Sequence, residues 1–237
     1  MRNSILRIVK RFTNNTKRAL DYDPPVGKID FGDFDRLKPI STDWGFKRGG
    51  SVDRYYIENF LKKNANDIKG YALEVMNDNY LKRFGGEQVK RRDILDIDAH
   101  NPKATVIADL AKADHLPSDT YDCIVLTQTL QLIYDLKSAM KHIHRILKPG
   151  GVLLVTVPGI SHFPYKTAPR HWSFTAYSLK TLLEEQFSKE KTKIEIHGNV
   201  LVTASFLYGI GASEISQETY EYTDPNYQLI ITARAVK

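Results

Sequence analysis

The sequence predicts an α/β domain: a mostly parallel sheet with helices on both faces. Three observations carry this. Short apolar runs recur between polar, turn-rich stretches, and segments with apolar residues at helical spacing alternate with them. The run GVLLVTVPG (151–159) is apolar on both sides, as a strand covered on both faces must be. The 237 residues suffice for one large domain with extensions, and 42% hydrophobic against 26% charged residues argues against a disordered chain.

Residues 1–20 (MRNSILRIVKRFTNNTKRAL) stand apart. Of 34 Lys+Arg, six fall here with no acid, which leaves 28 basic against 28 acidic residues in 21–237; the formal +6 is the leader's alone. A neutral body argues against nucleic acid as a partner. Arg7, Lys10 and Arg11 interrupt the apolar run that a signal peptide needs, and no stretch approaches the ~18 apolar residues of a membrane span. Drawn as a helix, Ile5, Ile8, Val9 and Phe12 gather on one side with cations around the rest. That suits an anionic membrane surface or a partner protein; a solvated tail is the plainer reading, and an arginine-rich presequence a third. The expected location is cytoplasmic, with peripheral contact at the inner face of a membrane through this leader.

Residues 21–51 are rich in Asp, Gly and Pro, lack either regular period and read as an arm or lid, part of which packs on the body or closes a site. The regular domain is expected over 52–237. VDRYYIENFLKKNAND (52–67) reads as a helix ended near Lys69-Gly70, and YALEVM (71–76) as the first strand. VKRRDILDI (89–97), ATVIADL (104–110) and YDCIVLTQ (121–128) are the next three. LKSAMKHIHRILK (136–148) is a helix stopped by Pro149-Gly150-Gly151, and 151–159 is the fifth strand. A loop, GISHFPYKTAPRHW, leads to a helix in 173–187 with its N-cap at Ser173 or Thr175. KTKIEIHGNV (191–200) and YQLIITARAV (227–236) are further strands around a helix at 202–210. No long crossover helix separates this last pair, which allows an antiparallel edge. Cys123, alone of its kind, sits in an apolar strand and reads as a small buried hydrophobe.

In doubly wound sheets ligands bind outside the carboxyl ends of the strands. The residues there are Glu74 to Tyr80, Asp93 to Asp96, Asp109 to Ala111, Thr127 to Gln131 and Gly159 to His171. Acids at three successive ends suit hydrogen bonds to the hydroxyls and amines of one extended ligand. Asp109, Leu116-Pro117, Tyr121-Asp122 and Leu147-Lys148-Pro149-Gly150-Gly151 together resemble the second half of a class I S-adenosylmethionine-dependent methyltransferase domain. HWSFTAYSLKTLLEE resembles that family's entry to the next helix. The resemblance covers roughly 52–190 and implies a Rossmann-like fold with a seven-stranded, mostly parallel sheet, and S-adenosylmethionine as cofactor. More narrowly, DRYYIENFL and GNV…FLYG look like methyltransferases encoded beside, or fused to, bacterial glycosyltransferases. This implies polysaccharide biosynthesis, a sugar, glycan or lipid-linked acceptor methylated on oxygen, and a glycosyltransferase as a partner for the leader.

One departure stands out. Where the family has acid-x-Gly-x-Gly-x-Gly, this chain reads Glu74-Val75-Met76-Asn77-Asp78-Asn79-Tyr80. Asn and Asp tolerate left-handed backbone, so a tight turn survives there, but Met76 lacks glycine's clearance. By the resemblance, Glu74, Met76 and Asn77 organise the loop at the methionine end of the cofactor. Asp93 takes the ribose hydroxyls, with Asp96 competing for that role. Asp109 and Leu110 face the adenine, and Thr127 and Gln128 lie beneath the transferred methyl, near Gln131 and Leu132. Arg54 and Tyr55 close over the methionine end, Arg54 against its carboxylate. Turn-capping is the structural alternative for Glu74, surface solvation for Arg54, and Asp122 reads as structural. His162 and His171, in the loop after strand five with Arg170, are the candidate bases for a hydroxyl acceptor. His142 and His144 diverge on one helix, so no metal site is expected. The alternatives are a non-catalytic binding or scaffold protein with the same cleft, and a small-molecule or lipid methyltransferase.

Overall fold

The computed structural model describes residues 23–164 and 169–237. The leader, 1–20, and Tyr165 lie outside the described residues. The chain divides into two compact units, Met1–Lys38 and Pro39–Lys237, so the division falls inside the segment read as one arm. In the first unit, Gly32–Phe34 forms a single 3₁₀ turn without a buried residue. Residues 39–51 pack within the second unit: the Ile40 N–H donates to Tyr208 O at 2.8 Å, Ser51 bridges to Gly211, and the Arg48 Nε donates to Glu214 at 2.9 Å.

The second unit is built on seven strands: β1 (Gly70–Val75), β2 (Val89–Asp96), β3 (Val106–Ile107), β4 (Tyr121–Thr127), β5 (Leu147–Pro158), β6 (Thr192–His197) and β7 (Ile230–Val236). Their order is β3-β2-β1-β4-β5-β7-β6. The first five run parallel, and β7 runs antiparallel to both of its neighbours. The antiparallel strand is thus inserted between β5 and β6 and does not form the edge. His197 at the end of β6 stands beside Ile230 at the start of β7, so the intervening chain returns at the same end of the sheet and never crosses it.

Among the described residues five helices accompany the sheet: α1 (Val52–Lys63), α2 (Leu136–Ile146), α3 (Ala176–Glu184), α4 (Val200–Tyr208) and α5 (Gln217–Glu221). Four of them start at side chains that accept a first free backbone N–H: Asp135 from Ser138, Thr175 from Ser178, Asn199 from Val202 and Ser216 from Thr219. Helix α2 ends at Ile146, before the Pro-Gly-Gly stop, because Leu147 already pairs with Tyr121 as the start of β5. Alternate residues of β4 feed two cores. Ile124 and Leu126 pack with α2 and α3; Cys123 and Val125 pack with α1 and α4. Cys123 is fully buried and its thiol is pushed well up by that burial, which makes it inert.

Two features depart from a regular doubly wound pattern. The crossover from β1 to β2 holds no regular helix, only a short helical stretch that is α-helical at 79–80 and π-helical over Leu81–Gly85, then a 3₁₀ turn at Gly86–Gln88. The third strand shrinks to two residues, because Asp109 caps a 3₁₀ turn at Leu110–Lys112. Gly70 opens β1 at φ +66°, and a Cβ there would sit 2.4 Å from Asp122 Oδ2. That carboxylate accepts from the Tyr71 N–H at 2.7 Å and from Lys148 Nζ at 2.8 Å. Gly70→Ala must both strain the backbone and displace Asp122, so it should cost about 2 kcal/mol or more in urea unfolding.

Candidate active site

The carboxyl ends of β1, β2 and β4 border a cavity of about 490 Å³. Asp96, the last residue of β2, lines it together with Met76, Asp109, Leu110 and Gln128. Ile97, Ala108 and Leu110 supply apolar wall, and the charged lining is three carboxylates (Asp96, Asp109, Asp135) against Lys112. Asp96 Oδ2 accepts from Asn101 Nδ2 at 2.7 Å, and the same amide donates to Met76 O at 2.9 Å, so Asn101 ties the two strand ends together. Asn101, in a turn five residues before β3, carries no ligand signal in the sequence.

The turn after β1 keeps a left-handed residue without glycine. It is Met76, at φ +68°, and not one of the Asn or Asp residues that follow. Its side chain is 62% exposed and lines the cavity. Asn77 instead accepts from the Asn79 N–H, and Asp78 is buried in ion pairs with Lys82 and Arg92. Gln128, at φ +48°, is the second left-handed residue on this cavity. Two such residues beside one cleft mark it as a place where the fold tolerates backbone strain.

Glu74 points away from the cavity. It is 3% exposed, and its carboxylate accepts from the backbone N–H groups of Tyr80 (3.2 Å) and Leu81 (2.9 Å), so it holds the loop and starts the π-helical turn. Burial raises its pKa to about 7, opposed in part by those two N–H groups. A carboxyl raised in the folded state keeps its proton there while the unfolded chain has lost it. Stability is therefore fully present below about pH 4.5 and falls as pH rises toward 7, by up to about 3 kcal/mol. In Glu74→Gln that slope should vanish from urea-unfolding free energies measured across the same window.

Asp93 is not brought to the strand ends. It lies in the middle of β2, 7% exposed, and its carboxylate accepts the hydroxyls of Tyr71, Tyr121 (2.9 Å) and Thr105 (2.9 Å). Tyr55 is likewise turned elsewhere, stacked on Tyr220 at 4.0 Å and accepting from Gln217 Nε2 at 2.7 Å. Thr127 stays in the sheet, paired with Thr156. Arg54 donates to Tyr80 Oη at 3.2 Å and so spans from α1 to the turn after β1.

A second cavity, of about 240 Å³, shares Gln128 and Leu132 with the first. Trp44, Phe46, Phe206 and Ile230 give it apolar walls, while Asp53, Arg54, Gln131 and Arg170 are its polar groups. Asp53 is 8% exposed and accepts from Ser51 Oγ at 2.6 Å. The sequence reading named its neighbours Arg54 and Tyr55 and missed it, since an acid in the first turn of a helix reads as a cap. His162 stacks on Trp44 at 4.7 Å, one ring behind the cavity wall, and its pKa is lowered by burial and by Arg170. His171 lies outside: its N–H donates to Gln131 O at 2.8 Å and its ring meets Tyr134. A wider groove of about 930 Å³ runs between Tyr134, Trp172 and Tyr177, but no strand end reaches it.

A seven-stranded sheet of this order, with an acid-lined cavity over the ends of β1, β2 and β4, is the arrangement of the class I S-adenosylmethionine-dependent methyltransferases. A methyltransferase-domain family model matches residues 36–189. The chain belongs to this methyltransferase domain family. A methyltransferase from Archaeoglobus fulgidus superposes with a TM-score of 0.51 at 14% identity, over 78% of this chain and 94% of that one. The N-methyltransferase NodS from Bradyrhizobium japonicum gives 0.50 at 13%, over 78% and 96%. The [4+2]-cyclase SpnF gives 0.50 at 15%, over 77% and 80%, so the fold by itself does not dictate the reaction. Two curated relatives are ubiquinone/menaquinone biosynthesis C-methyltransferases. That of Haemophilus ducreyi is 47% identical over 47 residues, 19% of this chain and 18% of the relative. That of Pectobacterium carotovorum is 32% identical over 73 residues, 31% and 27%. The chain thus spans under a third of either relative's length.

Family and fold imply S-adenosylmethionine as cofactor, and the first cavity fits it. Its volume lies within the range of small-molecule sites, and its excess of carboxylates complements a sulfonium cation. Asp96 would hold the ribose hydroxyls, Asp109 and Leu110 the adenine, and the turn at Met76 the amino-acid end.

Proposed function

We propose that this chain transfers a methyl group from S-adenosylmethionine to a hydroxyl of a small molecule seated in the second cavity. The observation that carries the reading is the meeting of the two cavities at Gln128 and Leu132. A cofactor in the acid-lined cavity and an acceptor in the other would face each other across that boundary. Bound S-adenosylmethionine supplies an already activated methyl, so the protein's part is alignment and removal of one proton. Asp53, at the wall of the acceptor cavity, takes the proton in this reading. His162 backs Trp44 from outside the cavity lining, and His171 has no part.

A sugar or glycan acceptor, and with it polysaccharide biosynthesis, rests on the narrower sequence resemblance and on the aromatic walls, which suit stacking on a ring. Attachment of the leader to a membrane or a glycosyltransferase belongs to the same reading; among the described residues no helix is long and apolar enough to cross a membrane. The two quinone-biosynthesis C-methyltransferase relatives point instead to carbon methylation, over matches of 47 and 73 residues.

Calorimetric titration with S-adenosylhomocysteine tests the cofactor cavity. Methyl transfer from radiolabelled S-adenosylmethionine to sugars, phenols and quinols, followed by identification of the methylated atom, tests the acceptor. No binding of S-adenosylhomocysteine at millimolar concentration would sink the reading and leave the scaffold alternative.

A further inference from the structure

The acceptor cavity holds two buried polar atoms that nothing in the described chain satisfies, and they are of opposite kind. Gln131 is 1% exposed, and its Nε2 donates to Gln128 O at 2.7 Å, which fixes the amide the other way round and leaves Oε1 without a donor. Arg170 donates from Nη1 to Ser161 Oγ at 3.3 Å, while its buried Nε has no acceptor. Groups buried in this manner cost about 1–3 kcal/mol each unless a partner arrives. Both residues line the same cavity.

The charges point the same way. The cavity lining carries two guanidiniums, Arg54 and Arg170, against the single carboxylate of Asp53. Among the described residues neither arginine has an ion-pair partner within 4.0 Å, and the Asp53 carboxylate is already engaged by Ser51. Arg54 is committed to Tyr80. That leaves Arg170, whose buried Nε lacks an acceptor, on a lining with two guanidiniums against one carboxylate, with Asp53 acting on it only at longer range. A guanidinium edge of this kind takes a planar carboxylate through two parallel hydrogen bonds. A dianionic phosphate would overshoot the charge and crowd Asp53.

We propose that the methyl acceptor is a hydroxylated monocarboxylate, its carboxylate on Arg170 and its hydroxyl held first by Gln131 Oε1 and then deprotonated by Asp53 as the methyl arrives. This rests on the reading of the second cavity as the acceptor site, and it narrows the acceptor from any small hydroxyl compound to an anionic one. At about 240 Å³ the cavity holds roughly eight waters' worth of volume, which limits the seated part to a single ring or a short chain. The two cavities then carry opposite polarity: carboxylates where the sulfonium belongs, a guanidinium where the acceptor's anion belongs.

The test uses the full chain saturated with S-adenosylhomocysteine and two matched pairs of probes: 4-hydroxybenzoate with 4-hydroxybenzamide, and glucuronate with glucose. Calorimetry or ligand-observed NMR should show at least one carboxylate bound about tenfold more tightly than its neutral twin. In Arg170→Gln that preference should disappear, while affinity for S-adenosylhomocysteine stays within about twofold; Arg170→Lys, which keeps the charge but not the fork, should retain only part of it. Equal binding of the twins, a preference that survives Arg170→Gln, or no carboxylate bound up to about 10 mM would each overturn the proposal. So would phenyl phosphate binding more tightly than 4-hydroxybenzoate. Binding of S-adenosylhomocysteine is read separately, so its failure would remove the methyltransferase reading itself, whereas its success without a carboxylate preference removes only this narrowing.

Discussion

Asp96→Ala is expected to weaken S-adenosylhomocysteine binding by about thirtyfold or more, with little change in the melting of the unliganded protein. Asp96 ends β2 at the mouth of the first cavity, partly exposed, where its removal leaves no group buried and unpaired. Its two oxygens accept from Asn101 and from the Asp98 N–H, and each keeps a lone pair for a ribose hydroxyl. Hydrogen bonds to a charged acceptor contribute about 1.5–3 kcal/mol, and thirtyfold is about 2 kcal/mol, so one lost contact suffices. Calorimetry of wild type and variant reads the affinity; thermal melts without ligand read the fold. An unchanged affinity would remove Asp96 from the cofactor site.

Asp93→Ala should behave in the opposite way. The substitution leaves the hydroxyls of Tyr71, Tyr121 and Thr105 without their common acceptor in the middle of the sheet. Burial and the Asp93 carboxylate together hold the Tyr121 phenol far above its usual range, so those hydroxyls remain donors at any ordinary pH. Losing a charged acceptor shared by three donors should cost about 3 kcal/mol or more in urea unfolding. The affinity of the folded fraction for S-adenosylhomocysteine should be unchanged. A variant with wild-type stability and lost cofactor binding would return Asp93 to the cleft.

The contrast between these two aspartates shows what could be read from the chain. VKRRDILDI offers two acids three residues apart, and an acid in a strand pattern suggests the strand's end. Only the tertiary placement of Tyr71, Thr105 and Tyr121 reveals that Asp93 is an interior acceptor. Where a local pattern decides the structure, the reading was direct: β4 and the body of β5 (which starts four residues earlier, at Leu147) from their apolar runs, the end of α2 to within two residues, and the start of α3 from Thr175, one of the two caps expected. The insertion of β7 between β5 and β6 was hidden, because a strand's neighbours are set by where the chain re-enters the sheet. The acceptor cavity was legible only in part, for the same reason. Asp53, Gln131 and Arg170 come from three distant segments; Gln131 and Arg170 lie in strand-end segments that mark a ligand, while Asp53, in the first turn of a helix, does not.

The crossover after β1 also has a consequence for motion. A long regular helix there would lock its amides in a continuous ladder, whereas the stretch from 79 through Leu81–Gly85 to Gly86–Gln88 is short, and its Tyr80 and Leu81 amides are held by one side chain, Glu74. Segments of this kind open locally well below the free energy of global unfolding. The Tyr80 and Leu81 amides should therefore exchange with solvent deuterium sooner than those in the middle of β4. Cofactor binding at the adjoining turn should slow them, making these two amides a site-resolved clock for occupancy of the cleft.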